Sequence, residues 1–234
     1  LDIDALPDGG LAALLPDSVA PGEVARVLGA GALPVSPATG RDADSVWILG
    51  PRPVRIGCLR IVPAPCTSDP TAIQLVDGPT FGTGLHPTTA LCLQALQDAV
   101  EACQPNAVLD VGSGSGVLAL AALALGVPRA RGVDVDAAAV STAARNARLN
   151  GMGERLRLVR GGPEAVGGTW PLILANVLPA PLIGMASALV RRLGHRGQVI
   201  LSGIPSSVQE DVDLAYCRLG LRRLRVISRE GWAA

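Results

Sequence analysis

The chain has 234 residues, with 20 Lys+Arg against 20 Asp+Glu and a formal net charge of zero, and every basic side chain is an arginine. The absence of lysine excludes a Schiff-base lysine, a lysine general base and a phosphate-loop lysine. At 49% hydrophobic residues the chain is too apolar for disorder, and neutrality leaves no global electrostatic footprint for nucleic acid or a membrane surface.

Residues 1–45 read as a loop-rich, acidic segment, broken by Pro7, Gly9, Gly10, Pro16, Pro21, Gly29, Gly31, Pro34, Pro37 and Gly40. Seven acids against two arginines give it a net charge of −5, and one short helix is expected near Gly22 to Leu28. Leu1 stands where an initiator methionine would, so residues are expected ahead of it, and the acidic start has no secretory n-region. Residues 46–70 form a linker with short strands expected at Val54–Gly57 and Leu59–Val62.

From residue 71 to 234 strand and helix signals alternate. Ala72–Val76 reads as a strand, Thr88 to Ala102 as a helix, Ala107–Val111 as a strand and Val117–Leu125 as a helix. Arg131–Val135 is the next strand, and Ala137–Asn150 a helix capped by Asp136 and closed by Gly151. Strands follow at Leu156–Arg160 and Leu172–Ala175, a helix at Pro181–Leu193, a strand at Gln198–Ser202 and a helix at Ser207–Leu219. Leu221–Ser228 and a fragment at Trp232 are the last strand candidates. Such alternation predicts an α/β fold with a mostly parallel sheet covered by helices on both faces.

The five cysteines (Cys58, Cys66, Cys92, Cys103, Cys217) show no C-x-x-C spacing, and His86 and His195 are the only histidines. No zinc constellation can be assembled from these, so no metal ligand is expected and the thiols read as core fillers in a reducing, cytoplasmic setting. The longest apolar run, Val117 to Leu125, is too short to span a membrane.

The strongest local signal is Val108-Leu109-Asp110-Val111-Gly112-Ser113-Gly114-Ser115-Gly116, a buried strand, a glycine turn and a helix start. Glycines such as Gly112 and Gly114 let a ligand approach the backbone, and the helix start offers N–H groups to an anion. Val117 stands where a dinucleotide fingerprint would need its third spacing, so G-x-G-x-G favours a nucleoside over a pyrophosphate. Asp134 lies 22 residues beyond Gly112, at the end of the next strand, where a carboxylate can accept both hydroxyls of a ribose. Asn176 ends the strand Leu172–Ala175, so Asp110, Asp134 and Asn176 are expected to face one pocket if their strands are parallel.

Together these elements resemble the class I S-adenosylmethionine-dependent methyltransferases. Phe81-Gly82-Thr83-Gly84-Leu85-His86-Pro87-Thr88-Thr89 resembles the F-G-T-G-x-H-P-T-T signature of the PrmA-type enzymes, which methylate the eleventh protein of the large ribosomal subunit. Pro53–Gly57, Gly132–Asp136, the A-x-x-N-A-x-x-N-G run from Ala143 to Gly151, Ala175–Val177, Leu201–Ile204 and Glu230–Trp232 agree with that family. The resemblance implies a Rossmann-like, mostly parallel seven-stranded sheet and the cofactor S-adenosyl-L-methionine. It implies cofactor contacts at Thr89, Gly112, Gly114, Asp134 and Asn176, and a substrate-recognition domain that is truncated or divergent in residues 1–45.

A sulfonium carries an already activated methyl group, so alignment and desolvation supply most of the acceleration. An acceptor amine must arrive unprotonated, and a water-poor pocket beside a sulfonium lowers its pKa. No dedicated base is required, so no catalytic residue is assigned; His86 reads equally as a loop-ordering hydrogen bond or a ligand contact. The expected activity is methyl transfer to amine nitrogens (lysine ε-amino or N-terminal α-amino) of a basic protein, with a ribosomal large-subunit protein as first candidate. The same core acting on another protein lysine or a small molecule, or a noncatalytic cofactor-binding module, are the alternatives. The arginines near residues 222–225 read as a solvated edge, and direct nucleic-acid binding is not expected.

Overall fold

The computed structural model describes residues 2–5, 11–14, 20–31, 53–66, 69, 71–76 and 86–234. Near the start, β1 (Asp2–Ala5) and β2 (Leu11–Leu14) pair antiparallel, where the sequence suggested only loop; four-residue strands are too short for periodicity to announce them. α1 spans Pro21–Val27, opening on a proline that has no N–H to leave unsatisfied. β3 (Val54–Ile56), β4 (Leu59–Pro63) and β5 (Ile73–Leu75) form a small sheet, antiparallel between β3 and β4 and parallel between β4 and β5.

The remainder alternates as expected: α2 (Pro87–Cys103), β6 (Val108–Val111), α3 (Val117–Ala124), β7 (Ala130–Asp134), α4 (Ala137–Leu149), β8 (Leu156–Arg160), β9 (Trp170–Asn176), α5 (Pro179–Arg192) and β10 (Leu193–Ser202). The strands pair in the order β10-β9-β6-β7-β8, all parallel. Parallel neighbours need a crossover: α3 joins β6 to β7, α4 joins β7 to β8, and α5 joins β9 to β10. The sheet's side chains alternate between two cores. Val108, Leu172 and Leu174 join α2, α3 and the β3–β5 sheet, while Leu109, Val111, Ile173 and Ala175 face α5 and its neighbours on the other side. α3 is apolar on every side, and residues 117–123 are all buried between sheet and helices. α4 instead buries one stripe, Ala139, Ala143, Asn146 and Ala147, at helical spacing.

The expected count of seven strands is not confirmed: among the described residues the main sheet has five. β11 (Ile204–Pro205), β12 (Ser228–Arg229) and β13 (Trp232–Ala233) form a separate antiparallel sheet, after α6 (Gln209–Cys217). The stretch 221–227, expected as a strand, runs mostly unpaired. Arg222, Arg223 and Arg225 interrupt the inward apolar series, Leu224 is 62% exposed, and Arg223 and Arg225 reach Asp213 and Asp98 instead. Ile227 exchanges backbone hydrogen bonds with Ala234, and Leu221 N donates back to the Tyr216 carbonyl. β10 is longer than expected: it begins at Leu193 beside Trp170, then shifts register before Gln198. Among the described residues no helix is long and apolar enough to cross a membrane.

Candidate functional site

The carboxyl ends of β6, β7 and β9 lie side by side, with Val111 paired to both Val133 and Ala175. Beyond Val111 the chain turns sharply. Gly112, Gly114 and Gly116 all take positive φ (72°, 52° and 82°), a region costly to residues with a Cβ. Gly112 has a second constraint, because a Cβ there would lie 2.3 Å from Val177 Cγ1. Gly112 N and Ser113 N both donate to the Val133 carbonyl at 2.9 and 3.1 Å, which pins the turn to β7.

Asp134, at the end of β7, is half-buried and holds the same turn from its side chain. One carboxylate oxygen accepts from Gly114 N at 2.8 Å, and the other accepts from Asp136 N at 3.0 Å. Each oxygen has a further lone pair for a hydroxyl. Beside it Val135 is 72% exposed, its carbonyl held by Arg160 Nε at 3.2 Å. Asp136 caps α4 through Ala138 N at 2.8 Å, as its position suggested.

Asn176 and Thr89 also come together: Asn176 Nδ2 donates to Thr89 Oγ1 at 3.3 Å. Thr89 lies in the first turn of α2 and, like Thr88, is buried. Ser202, the cross-strand partner of Asn176, donates from Oγ to the Thr88 carbonyl at 2.9 Å. The five sequence candidates thus form two linked groups, Gly112–Gly114–Asp134 around the glycine turn and Thr89–Asn176 at the start of α2.

Asp110 departs from expectation. Its strand is parallel to its neighbours, but one residue pair deeper in the sheet, so its side chain is 0% exposed rather than facing an open cleft. It accepts from Ala119 N at 3.2 Å, answering an N–H of the first turn of α3. Burial pushes this carboxyl up to about 7, and the nearby Asp134 charge adds to the rise. Its other oxygen and the Ser113 hydroxyl are buried without a protein partner.

His86 caps α2. Thr88 N donates to His86 Nδ1 at 3.3 Å, so that nitrogen acts as acceptor. Thr88 Oγ1 lies 2.7 Å from the same atom. Trp232 meets the ring edge-on, with centroids 5.0 Å apart. These contacts are of the loop-ordering kind weighed for His86. Residues 77–85, which include Phe81 to Leu85 of the threonine-rich motif, lie outside the described residues.

Two residues went unassigned in the sequence reading. Asn146 and Asn150, in the A-x-x-N-A-x-x-N-G run, both reach across to the chain leading out of β5. Asn150 accepts from Gln74 N at 2.8 Å and donates to Gln74 O at 2.7 Å, as a neighbouring strand would. Asn146 accepts from Val76 N at 2.9 Å and donates to the Ser115 carbonyl at 2.8 Å. Their i, i+4 spacing marked one helix face, but nothing local marked the partners. No group of three or more metal-ligating side chains occurs among the described residues.

The family model for ribosomal protein L11 methyltransferase (PrmA) matches residues 32–234. The chain is 38% identical over 193 residues to a ribosomal protein L11 methyltransferase of Methylococcus capsulatus, covering 81% of this chain and 65% of that protein. It is 39% identical over 219 residues to one of Geobacter sulfurreducens, covering 90% and 71% respectively. Among solved structures, a ribosomal protein L11 methylase from Lactobacillus delbrueckii subsp. bulgaricus superposes with a TM-score of 0.72 at 30% identity, over 78% of this chain and 95% of that one. The chain spans about two thirds of the length of these curated relatives. On the strength of the glycine turn, the Thr89–Asn176 pair and these matches, the chain belongs to the ribosomal protein L11 methyltransferase family.

Proposed function

We propose that this chain binds S-adenosyl-L-methionine and transfers its methyl group to amine nitrogens of a protein, with the large-subunit ribosomal protein L11 as first candidate. The relatives' names support the acceptor, and one observation carries the cofactor. A glycine turn that cannot admit a Cβ is hydrogen-bonded to a carboxylate at the end of the adjacent strand. That is a cradle for a nucleoside with its ribose on Asp134. The exposed Val135 beside it suits the flat face of a base. The Ser113 hydroxyl, buried in the turn without a protein partner, fits a polar ligand above it.

The bound cofactor would supply an activated methyl on a sulfonium. The chain's own residues do the rest by placement. Gly112 and Gly114 would admit the ligand to the backbone, Asp134 would accept from ribose hydroxyls, and Thr89 with Asn176 would close the far side. Around Thr89 and Asn176 the described hydrogen-bonding groups are an amide, hydroxyls, backbone atoms and the capping His86 ring, and an amine would be oriented and desolvated there, with no dedicated base assigned. In this reading residues 71–234 form the cofactor domain, 46–70 a linker and 1–45 the remnant of a substrate-recognition domain. The acidic 1–45 segment suits a basic protein acceptor, and the setting is cytoplasmic.

The test is calorimetric titration with S-adenosylmethionine, followed by labelled-methyl transfer to purified ribosomal protein L11 and to a cell lysate. Asp134→Ala should abolish binding. Asp134→Asn keeps one acceptor oxygen and should retain weak binding. A wild-type chain that binds no S-adenosylmethionine overturns the reading, whereas tight binding with no labelled acceptor would make it a binding module. These 234 residues hold no lysine, so none of their side chains offers an ε-amine for self-labelling.

A further inference from the structure

We propose that Asn146 is a positioning residue of this site, the one side chain among the described residues that ties the glycine turn directly to the backbone entering the threonine-rich motif. The inference rests on the cofactor reading above and deepens it. Asn146 is 0% exposed, and both ends of its amide are used. The Val76 N–H can only donate, so the atom facing it must be the amide oxygen. The Ser115 carbonyl can only accept, so the atom facing it must be the nitrogen. The orientation is therefore dictated by chemistry on both sides.

The two partners belong to different parts of the site. Ser115 lies in the glycine turn, between Gly114 and Gly116. Val76 is the last described residue before the segment 77–85, which leads in sequence to His86 and the start of α2. α4 is pressed against the turn closely enough for this bond to be stiff, since a Cβ on Gly116 would come within 3.0 Å of Ala143 Cβ. A buried amide with both groups satisfied has no better alternative in the folded state, and breaking one bond strands a buried polar group. A shift of the turn is thereby transmitted to Val76.

Asn150 supplies the control. It sits one helical turn further along α4 and binds the same β5 chain through both Gln74 groups, as well as the Asn146 carbonyl. The hydrogen bonds of its side chain reach β5 and α4 but not the glycine turn. Asn146→Asp retains an acceptor for Val76 N but sets an oxygen against the Ser115 carbonyl, breaking only the link to the turn. Asn150→Ala loosens β5 and leaves that link in place.

The experiment measures S-adenosylhomocysteine affinity by calorimetry and thermal midpoints for wild type, N146D and N150A. Both substitutions should lower the midpoint, but N146D should weaken binding at least tenfold while N150A stays within twofold. Unchanged affinity in N146D, or losses in both variants that simply follow their midpoints, would overturn the inference with the cofactor reading intact. A wild type that binds no S-adenosylhomocysteine would instead remove the reading on which it stands. If N146D does not fold, hydrogen–deuterium exchange of the wild type decides. Slower exchange at the Val76 amide on ligand binding supports the link, and unchanged exchange there refutes it.

Discussion

Replacing Asp110 by Asn should become progressively more favourable to stability, relative to wild type, as pH rises from acid to mild alkali. Asp110 is fully buried on the α2 and α3 side of β6, and burial pushes its carboxyl up from 3.8 to about 7. A raised carboxyl pKa means the folded chain holds this proton more tightly than the unfolded chain does. The associated stability is fully present below about pH 4 and is lost as pH rises through about 7. At about 1.4 kcal/mol per pKa unit the loss is roughly 4 kcal/mol, an upper figure because the interior relaxes around a buried charge. Asn cannot ionise but keeps an oxygen for Ala119 N. Urea unfolding of wild type and D110N at intervals from pH 4.5 to 8.5 would read the difference, since other groups titrate alike in both. The D110N-minus-wild-type stability should climb steadily with pH and level off above 8. A difference that stays flat across that range would show that the Asp110 carboxyl is not raised and would refute the burial argument.

Gly112→Ala should destabilise the fold and weaken cofactor binding for two separable reasons, a Cβ 2.3 Å from Val177 Cγ1 and a φ of +72°. Adding Val177→Ala should recover the contact part but leave about 1–2 kcal/mol of backbone cost; full recovery by unfolding measurements would show the strain to be absent. His86→Ala removes the cap of α2 and should cost about 1 kcal/mol. Because Trp232 packs on the same ring, the double variant with Trp232→Ala should lose less than the two single losses combined, and strict additivity in denaturant titrations would contradict the contact.

Much of the main sheet was legible because its central strands β6 and β9 are buried on both faces and its helices carry their own punctuation. Asp136 before Ala137 and Gly151 after Asn150 bracket α4 by local chemistry alone. Gly112 to Gly116 was equally readable, since only a turn with positive φ demands that spacing. What failed was depth and distance. Parallel strand ends suggested that Asp110, Asp134 and Asn176 share a pocket, but not how far up the sheet each would stand, and Asp110 is buried under α3. The cap at His86 was obscured because histidine is not among the usual N-cap residues. Leu221–Ser228 had strand composition, yet its arginines found carboxylates on α2 and α6, and that outcome depends on partners 127 and 10 residues away.

The clamp on the first turn of α2 explains why polar groups that need partners are buried there at all. Thr88 and Thr89 are almost fully hidden, and an unpaired buried hydroxyl costs about 1–3 kcal/mol. Their satisfaction draws on β9 through Asn176, on β10 through Ser202, on His86 and, through His86, on Trp232 near the C-terminus. An apolar first turn could be packed as stably, but it could slide; hydrogen bonds of defined direction fix it in register with the ends of β9 and β10. Asn146 does the same at Val76. The segment 77–85 is therefore bounded by two anchors, one referred to the glycine turn and the other to the ends of β9 and β10. Both anchors are neutral groups, which suits a site that would receive a sulfonium. A fixed charge at either anchor would have to be desolvated with it, whereas amides and hydroxyls orient the surroundings at far smaller cost. Positional order at this site is thus supplied by hydrogen-bond geometry, leaving the half-buried carboxylate of Asp134 as the acidic group that a cationic ligand would meet.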